Sequence, residues 1–308
     1  MALEDVCADG ALGPVHRSLP GRESQLWLVR HARGLGVLRR LDPHLFPVDA
    51  GWVESDLTWL HGYLSRLCPR FPAPAPLPVF DGLSWTRSED AWWDVVSYLP
   101  GEPVGWRSRP SLEEVGRLLA ALHQASTSVG IAHQRPRAVP LAAVIAERAP
   151  KPLGDWIARL AEALVRIGHD NAPRSVIHGD FTAHNVLASG DPLIATGVID
   201  FALAHCEDLR TDIGYGLWRS GRPRQDAIEM DLNRVSLFVR GYHRESPLHP
   251  VDADAIAVYL WARGIQSAVK RWRRTRQQPD EVVSRRIVWL IEHQPVIRQR
   301  ILSEVSGS

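Results

Sequence analysis

The sequence changes character at Pro100-Gly101. Ahead of that pair, Leu26–His31 and Gly36–Leu41 read as two strands joined by a short turn through Ala32, Arg33 and Gly34. Val53, Leu57, Leu60, Leu64 and Leu67 then recur at helical spacing. A proline-rich stretch from Pro69 to Pro78 stops that helix, and Trp93–Leu99 is again apolar and β-prone. Beyond the pair the signals turn helical. Ser111 and Glu114 form a capping box ahead of the stripe Val115, Leu118, Leu119 and Leu122, and a second helix covers about Leu153–Ile167. Two short apolar segments, Ser175–Ile177 and Thr196–Ile199, flank a polar loop. From about Ile213 the chain reads as three or four helices, with Trp218, Phe238, Tyr259, Trp261 and Trp289 as expected core aromatics. The fold class is therefore α+β. A chain of 308 residues exceeds one ordinary core, so two lobes are expected, residues 1–99 and 100–308.

Composition excludes several function classes. A formal net charge of +1 argues neither for nucleic acid nor for an anionic membrane as partner. Cys7, Cys68 and Cys206 are odd in number and form no CxxC pair, so a disulfide framework or structural zinc is not expected. No apolar run approaches the roughly 20 residues that cross a bilayer, and the acidic start of the chain lacks an apolar signal core. A cytoplasmic protein, monomer or simple dimer, is expected. The basic run from Lys270 to Arg276, with Trp272 inside it, reads as a solvated helix end rather than a nucleic-acid surface.

Chemistry concentrates in Val176–Leu187 and Gly197–Leu203. His178-Gly179-Asp180 alone would be a common turn. Asn185 five residues after Asp180, an apolar segment after that, and Asp200 fifteen residues beyond Asn185 and followed by Phe201 make the pattern specific. A phosphoryl-transfer loop needs one carboxylate facing the attacking hydroxyl, an amide oxygen that reaches a metal from the same loop, and a second carboxylate at a neighbouring strand end. Magnesium prefers such oxygen ligands.

This constellation resembles the aminoglycoside phosphotransferase and choline kinase superfamily, in which His-Gly-Asp replaces the His-Arg-Asp of protein kinases. The resemblance implies a two-lobed protein-kinase-like fold, with an N-lobe of antiparallel sheet plus helix and a mainly helical C-lobe. It implies ATP and Mg2+ as cofactors and a small hydroxylated molecule as phosphate acceptor. Asp180 would be the base, or the residue that orients the hydroxyl, while Asn185 and Asp200 would hold magnesium. His178 would brace the loop, and Asp212 would cap a helix and tie the loop down.

In the first lobe the family carries a lysine on the third strand. Here Arg39 falls at that place, with Val37 on its face and Arg40 on the opposite one. Glu54 would be its carboxylate partner on the following helix, with Asp56 as the rival. The segment Val95–Gly101 resembles the family's hinge, where backbone groups at Ser97 and Leu99 would meet adenine. No glycine-rich phosphate loop is recognisable beyond the turn-like stretch Leu19–Arg22. Only eleven residues lie between Asp200 and Asp212, and no Ala-Pro-Glu segment follows, so a protein acceptor is disfavoured. The acceptor classes left are antibiotics, sugars and hydroxy amino acids such as homoserine. A catalytically weak kinase-like binding module is the competing reading.

Overall fold

Strand alternation in the first hundred residues builds a sheet with two different faces. The computed structural model describes residues 12–19, 25–41, 53–88, 91–104, 112–130, 141–190, 194–224 and 226–307. Cys7, Ser111 and the centre of the Leu19–Arg22 turn lie outside them. The chain divides into two compact units, one ending at Pro100 and the other beginning at Gly101.

In the first unit β1 (Leu12–Leu19), β2 (Gln25–His31), β3 (Gly34–Leu41), β4 (Trp85–Arg87) and β5 (Trp92–Ser97) form an antiparallel sheet in the order β1-β2-β3-β5-β4. Ala32 and Arg33 make the β2–β3 turn, and Gly34 supplies its positive φ of 118°. One face is apolar: Val29, Leu38, Trp93 and Val95 are buried with Leu12, Leu77, Val79 and Phe80, and Trp27 stacks on Trp93 at 5.7 Å between ring centroids. The helix α1 (Glu54–Leu67) buries Leu57, Leu60, Leu64 and Leu67. It stops where the proline-rich stretch begins. That stretch does more than end a helix, because it runs along β5, with Leu77 N–H donating to the Val95 carbonyl and Ser97 N–H to that of Ala75.

The second unit is mainly helical. Its strands are β6 (Glu102–Pro103), β7 (Arg174–Ile177), β8 (Val186–Ser189), β9 (Ile194–Val198) and β10 (His205–Asp208), paired as β6-β8-β9 and β10-β7. The helices are α2 (Leu112–Val129), α3 (Leu141–Ile145), α4 (Leu153–Arg166), α5 (Leu209–Ser220), α6 (Leu232–Glu245), α7 (Asp252–Thr275), α8 (Glu281–Glu292) and α9 (Gln294–Ser306). Five helices thus follow Leu209 where sequence periodicity suggested three or four. His293 ends α8 and opens α9, and Pro295 sits in the first turn of α9, where its missing N–H costs nothing. Trp218, Phe238, Tyr259 and Trp261 are buried as expected. Trp289 is not in the core: it is half-buried and stacks on His293 at 4.3 Å. The long helix α7 is the spine of this unit, with Ile256, Tyr259, Leu260 and Ile265 fully buried. Among the described residues no helix is long and apolar enough to cross a membrane, and Cys68 and Cys206 are free thiols.

Helices α2 and α6 cross at backbone contact. A Cβ at Gly116 would lie 2.1 Å from the Phe238 carbonyl oxygen, and one at Gly241 would lie 2.0 Å from that of Glu113. Neither clash can be relieved by a side-chain rotation. Gly241→Ala should therefore cost about 1–3 kcal/mol by overpacking. Urea denaturation followed by circular dichroism will measure this, and an unchanged midpoint would refute the contact.

Candidate active site

The loop between β7 and β8 carries His178, Gly179, Asp180 and Asn185, and a single carboxylate fixes its start. Asp212 is fully buried. Its Oδ2 accepts the His178 backbone N–H at 2.6 Å and its Oδ1 accepts that of Gly179 at 2.9 Å. His123 of α2 adds a third contact, Nε2 to Asp212 Oδ2 at 3.3 Å, and its Nδ1 meets the Tyr242 hydroxyl of α6 at 2.8 Å. Burial raises the Asp212 pKa, but the His123 hydrogen bond and charge, with help from His178, outweigh it and leave the carboxyl below its usual range. The sequence reading gave Asp212 two tasks. It ties down the loop, but the N-cap of α5 is Asp208, whose side chain accepts from Arg210 N–H, while Asp212 stands in the first turn. Gly179 has φ 77° and packs so closely that a Cβ would lie 2.3 Å from the Leu203 carbonyl oxygen. No side chain fits there.

Beyond Gly179 the loop is held by hydrogen bonds of its own. His178 donates from Nε2 to the Ile199 carbonyl at 3.0 Å and accepts the Asp180 N–H on Nδ1 at 3.2 Å, so both ring nitrogens brace the backbone. Asn185 donates from Nδ2 to the Asp180 carbonyl at 2.9 Å, which leaves its Oδ1 as the acceptor end. Its backbone carbonyl receives the Ile199 N–H at 2.8 Å. This continues the Val186–Val198 pairing of β8 and β9 and brings Asn185 beside the residue that precedes Asp200. Asp200 is exposed and holds left-handed dihedrals, φ 64° and ψ 62°. A non-glycine residue in that conformation costs of order 1–3 kcal/mol, a strain that concentrates at functional sites. Asn185 and Asp200 offer two hard oxygen donors from adjoining segments. Two hard oxygen donors, an amide and a carboxylate, are the kind of partial ligand set that magnesium completes with phosphate and water.

Asp180 itself is half-buried, and its Oδ1 accepts from Arg263 Nη2 of α7 at 2.6 Å. Arg263 also donates from Nη1 to Gln266 Oε1 at 2.6 Å and lies over the Tyr215 ring at 4.8 Å. Nothing in the local sequence marks this arginine, which is 83 residues away.

In the first unit, β3 pairs with β5 in unbroken register, so Arg39 stands opposite Asp94 and Arg40 opposite Trp93. Arg39 Nε donates to Asp94 Oδ1 at 2.7 Å, and its Nη2 pairs with Oδ2. His61 of α1 reaches Asp94 Oδ2 from Nε2 at 3.0 Å and faces the Ser84 hydroxyl with Nδ1 at 2.6 Å. Burial pushes the Asp94 carboxyl up, yet the adjacent Arg39 guanidinium and His61 bring it down to about 2. Glu54 lies at the exposed first residue of α1, and Asp56 is buried one half-turn on. Neither Asp94 nor His61 was singled out from sequence. The available signal was an acid inside the apolar run Trp92–Ser97. Ser97 spends its amide on Ala75, and Leu99 is half-buried. The basic run is tied into the unit's own surface: Arg273 bonds Glu147 at 2.6 Å and the Ala143 carbonyl at 3.1 Å, and Arg276 lies over Trp272.

The depressed Asp212 pKa fixes the sign of one pH effect. A carboxyl that titrates lower folded than its usual value near 4 contributes stability that is complete above that value and is lost as pH falls through the folded one. Asp212→Asn should lower stability at pH 7 by about 1.5–3 kcal/mol, the value of a charge-assisted hydrogen bond. It should also flatten the loss of stability below about pH 4. Urea titrations at pH 7 and pH 3 test both, and parallel wild-type and variant pH dependences would refute the role.

Three comparisons bear on this arrangement. Residues 17–248 match the model of the phosphotransferase enzyme family. A homoserine kinase of Sinorhizobium medicae is 32% identical over 257 residues, covering 79% of this chain and 73% of its own length. One of Rhizobium rhizogenes is 28% identical over 237 residues, covering 72% and 70%. Among solved structures, a microcompartment-associated aminopropanol kinase aligns with a TM-score of 0.62 at 18% identity over 94% of this chain and 92% of that one. The GDP complex of aminoglycoside 2'-phosphotransferase-IIIa aligns at 0.59 and 14% identity over 96% of each. The chain belongs to the phosphotransferase enzyme family, within the aminoglycoside phosphotransferase and choline kinase superfamily, and is a small-molecule kinase with a hydroxyl group as acceptor.

Proposed function

We propose that the chain transfers the γ-phosphoryl group of ATP to the hydroxyl of a small hydroxy amino acid of the homoserine type. The observation that carries this reading is the braced loop in which the Asn185 amide clasps the Asp180 backbone while Asp200 adjoins it across the β8–β9 pair. The homoserine kinases among its relatives support the acceptor class. Asp180 orients the hydroxyl and takes its proton. The hydroxyl oxygen bonds to the γ-phosphorus, the bond from phosphorus to the β–γ bridging oxygen breaks, and ADP leaves with that electron pair. Asn185 Oδ1 and the Asp200 carboxylate would hold Mg2+. When bound, that ion neutralises charge on the β- and γ-phosphates.

Arg39 is assigned to the nucleotide phosphates. Glu54, at the start of α1, would be a second carboxylate partner of Arg39 beside Asp94. The Ser97 carbonyl and the Leu99 amide would meet adenine, since the Ser97 amide is already engaged. An antibiotic or sugar acceptor is the alternative within the same chemistry. Arginine in the place of the family's lysine favours the other reading, a binding module with weak turnover, and Mg2+-dependent ATP consumption across a panel of hydroxy amino acids, sugars and antibiotics separates them.

Two substitution series test the roles. Asp180→Asn should lower kcat by about 10²–10⁴-fold with little change in nucleotide affinity, and turnover within threefold of wild type would remove the assignment. Arg39→Ala is a compound change, because it strands the buried Asp94 carboxylate at a cost of about 3–5 kcal/mol. Arg39→Lys keeps a charge there and should raise the KM for ATP only modestly, whereas Arg39→Gln, which also removes the counter-charge of Asp94, should raise it about 10–100-fold and lower stability as well. Arg40→Ala, on the opposite face, should be nearly silent. Equal effects at the two arginines would argue that neither meets nucleotide.

A further inference from the structure

The side chain that touches Asp180 is cationic, and it is held in a way that suits a ligand rather than a permanent ion pair. Arg263 and Asp180 are both partly exposed, at 15% and 29% of their side-chain surface. The guanidinium lies over Tyr215 at 4.8 Å, and Gln266 takes one of its Nη1 hydrogens. Those two contacts hold it in place, while only Nη2 is committed to Asp180. An arginine has five N–H donors, so part of the fork remains for an incoming acceptor. Asp180 also keeps Oδ2 for a substrate hydroxyl. Gln266, Ser267 and Lys270 follow Arg263 on α7 at helical spacing and are likewise half-exposed. From Arg263, its member in contact with Asp180, this stripe of α7 thus carries two cations and two neutral hydrogen-bonding groups, with no carboxylate. A polycationic acceptor would be repelled there, and an anionic one attracted.

We infer that Arg263 is the specificity-determining residue of the acceptor site and that it selects a hydroxyl compound bearing a carboxylate. The inference rests on Asp180 as the group that faces the hydroxyl. Its geometry limits the spacing within the acceptor. Asp180 and Arg263 are in contact, so groups bound to each lie roughly 5–6 Å apart, about two hydrogen-bond lengths. A hydroxyl and a carboxylate separated by three carbons span that distance, as in L-homoserine. On binding, the carboxylate takes donors of Arg263 and the hydroxyl takes Oδ2 of Asp180. Phosphoryl transfer then proceeds as above.

The test measures kcat and KM, in the intact chain with Mg-ATP, for two acceptor pairs: L-homoserine against 2-aminobutane-1,4-diol, and 4-hydroxybutyrate against butane-1,4-diol. Each pair differs only in carboxylate against hydroxymethyl. Wild type should favour the carboxylate member by about 10–100-fold in kcat/KM, the value of a charge-assisted hydrogen bond. Arg263→Gln should reduce that preference to within threefold, mainly through the KM of the carboxylate acceptor, and leave the KM for ATP unchanged. Arg263→Lys should restore part of the preference. The inference is overturned if wild type does not discriminate, if no carboxylate-bearing acceptor turns over, or if Arg263→Gln slows both members of a pair equally. Asp180→Asn, run alongside, keeps the two readings apart. Should it retain turnover, the assignment of the base fails. Should it abolish turnover of both members while Arg263→Gln keeps the preference, only the carboxylate assignment fails.

Discussion

Asp212 is the point at which the active-site loop is joined to the rest of its unit. Two successive backbone amides, those of His178 and Gly179, end on its two oxygens, and the same carboxylate is held from behind by His123 and, through it, Tyr242. Three helices and a loop therefore depend on one buried negative charge: α5 carries it, α2 and α6 supply its other partners, and the loop takes its direction from it. A buried carboxylate without donors would cost several kcal/mol. With three donors it costs far less, and it specifies one path for the chain between Ile177 and Asp180. The left-handed turn at Gly179 follows from that path, and only glycine can follow it so close to Leu203.

The two arginine–aspartate pairs differ in what they can do. Arg39 meets a carboxylate that has no exposure at all and that His61 also contacts. Separating that pair leaves a buried ion uncompensated, so it acts as a fixed part of the first unit. Arg263 meets a carboxylate that still faces solvent. Exchange of such a contact for another anion or a hydroxyl costs little, because water and ligand can take over each half. Burial, more than distance, separates a pair that must stay closed from one that a substrate can open.

What the sequence revealed follows the range of each interaction. Asp180, Asn185 and Asp200 lie within one strand–loop–strand segment, and their order alone states their relationship. The face that Arg39 takes on β3 was legible too, because alternation along a regular strand assigns it. Arg263 was not, since it comes from a helix 83 residues away and nothing near it is unusual. Asp94 was overlooked because the strand was read by its apolar neighbours, although one acid among them was a visible exception. Helix periodicity located most of the helical unit but suggested three or four helices from about Ile213, where five run from Leu209 onward. Trp289 shows the limit of reading a large aromatic as core. Next to a helix end it found a histidine to stack on instead.

The guanidinium on β3 has a chemical consequence as well as an electrostatic one. The chain contains only two lysines, Lys151 and Lys270, and neither lies on that strand. An ammonium can lose its proton and become a nucleophile, whereas a guanidinium stays protonated at any pH the fold survives. Acylating and aldehyde reagents, which capture amines, would find none on this strand. Dicarbonyl reagents, which condense with guanidinium groups, are the covalent chemistry to which this strand answers. The arginine thus exempts the strand from lysine acylation and leaves its charge independent of pH.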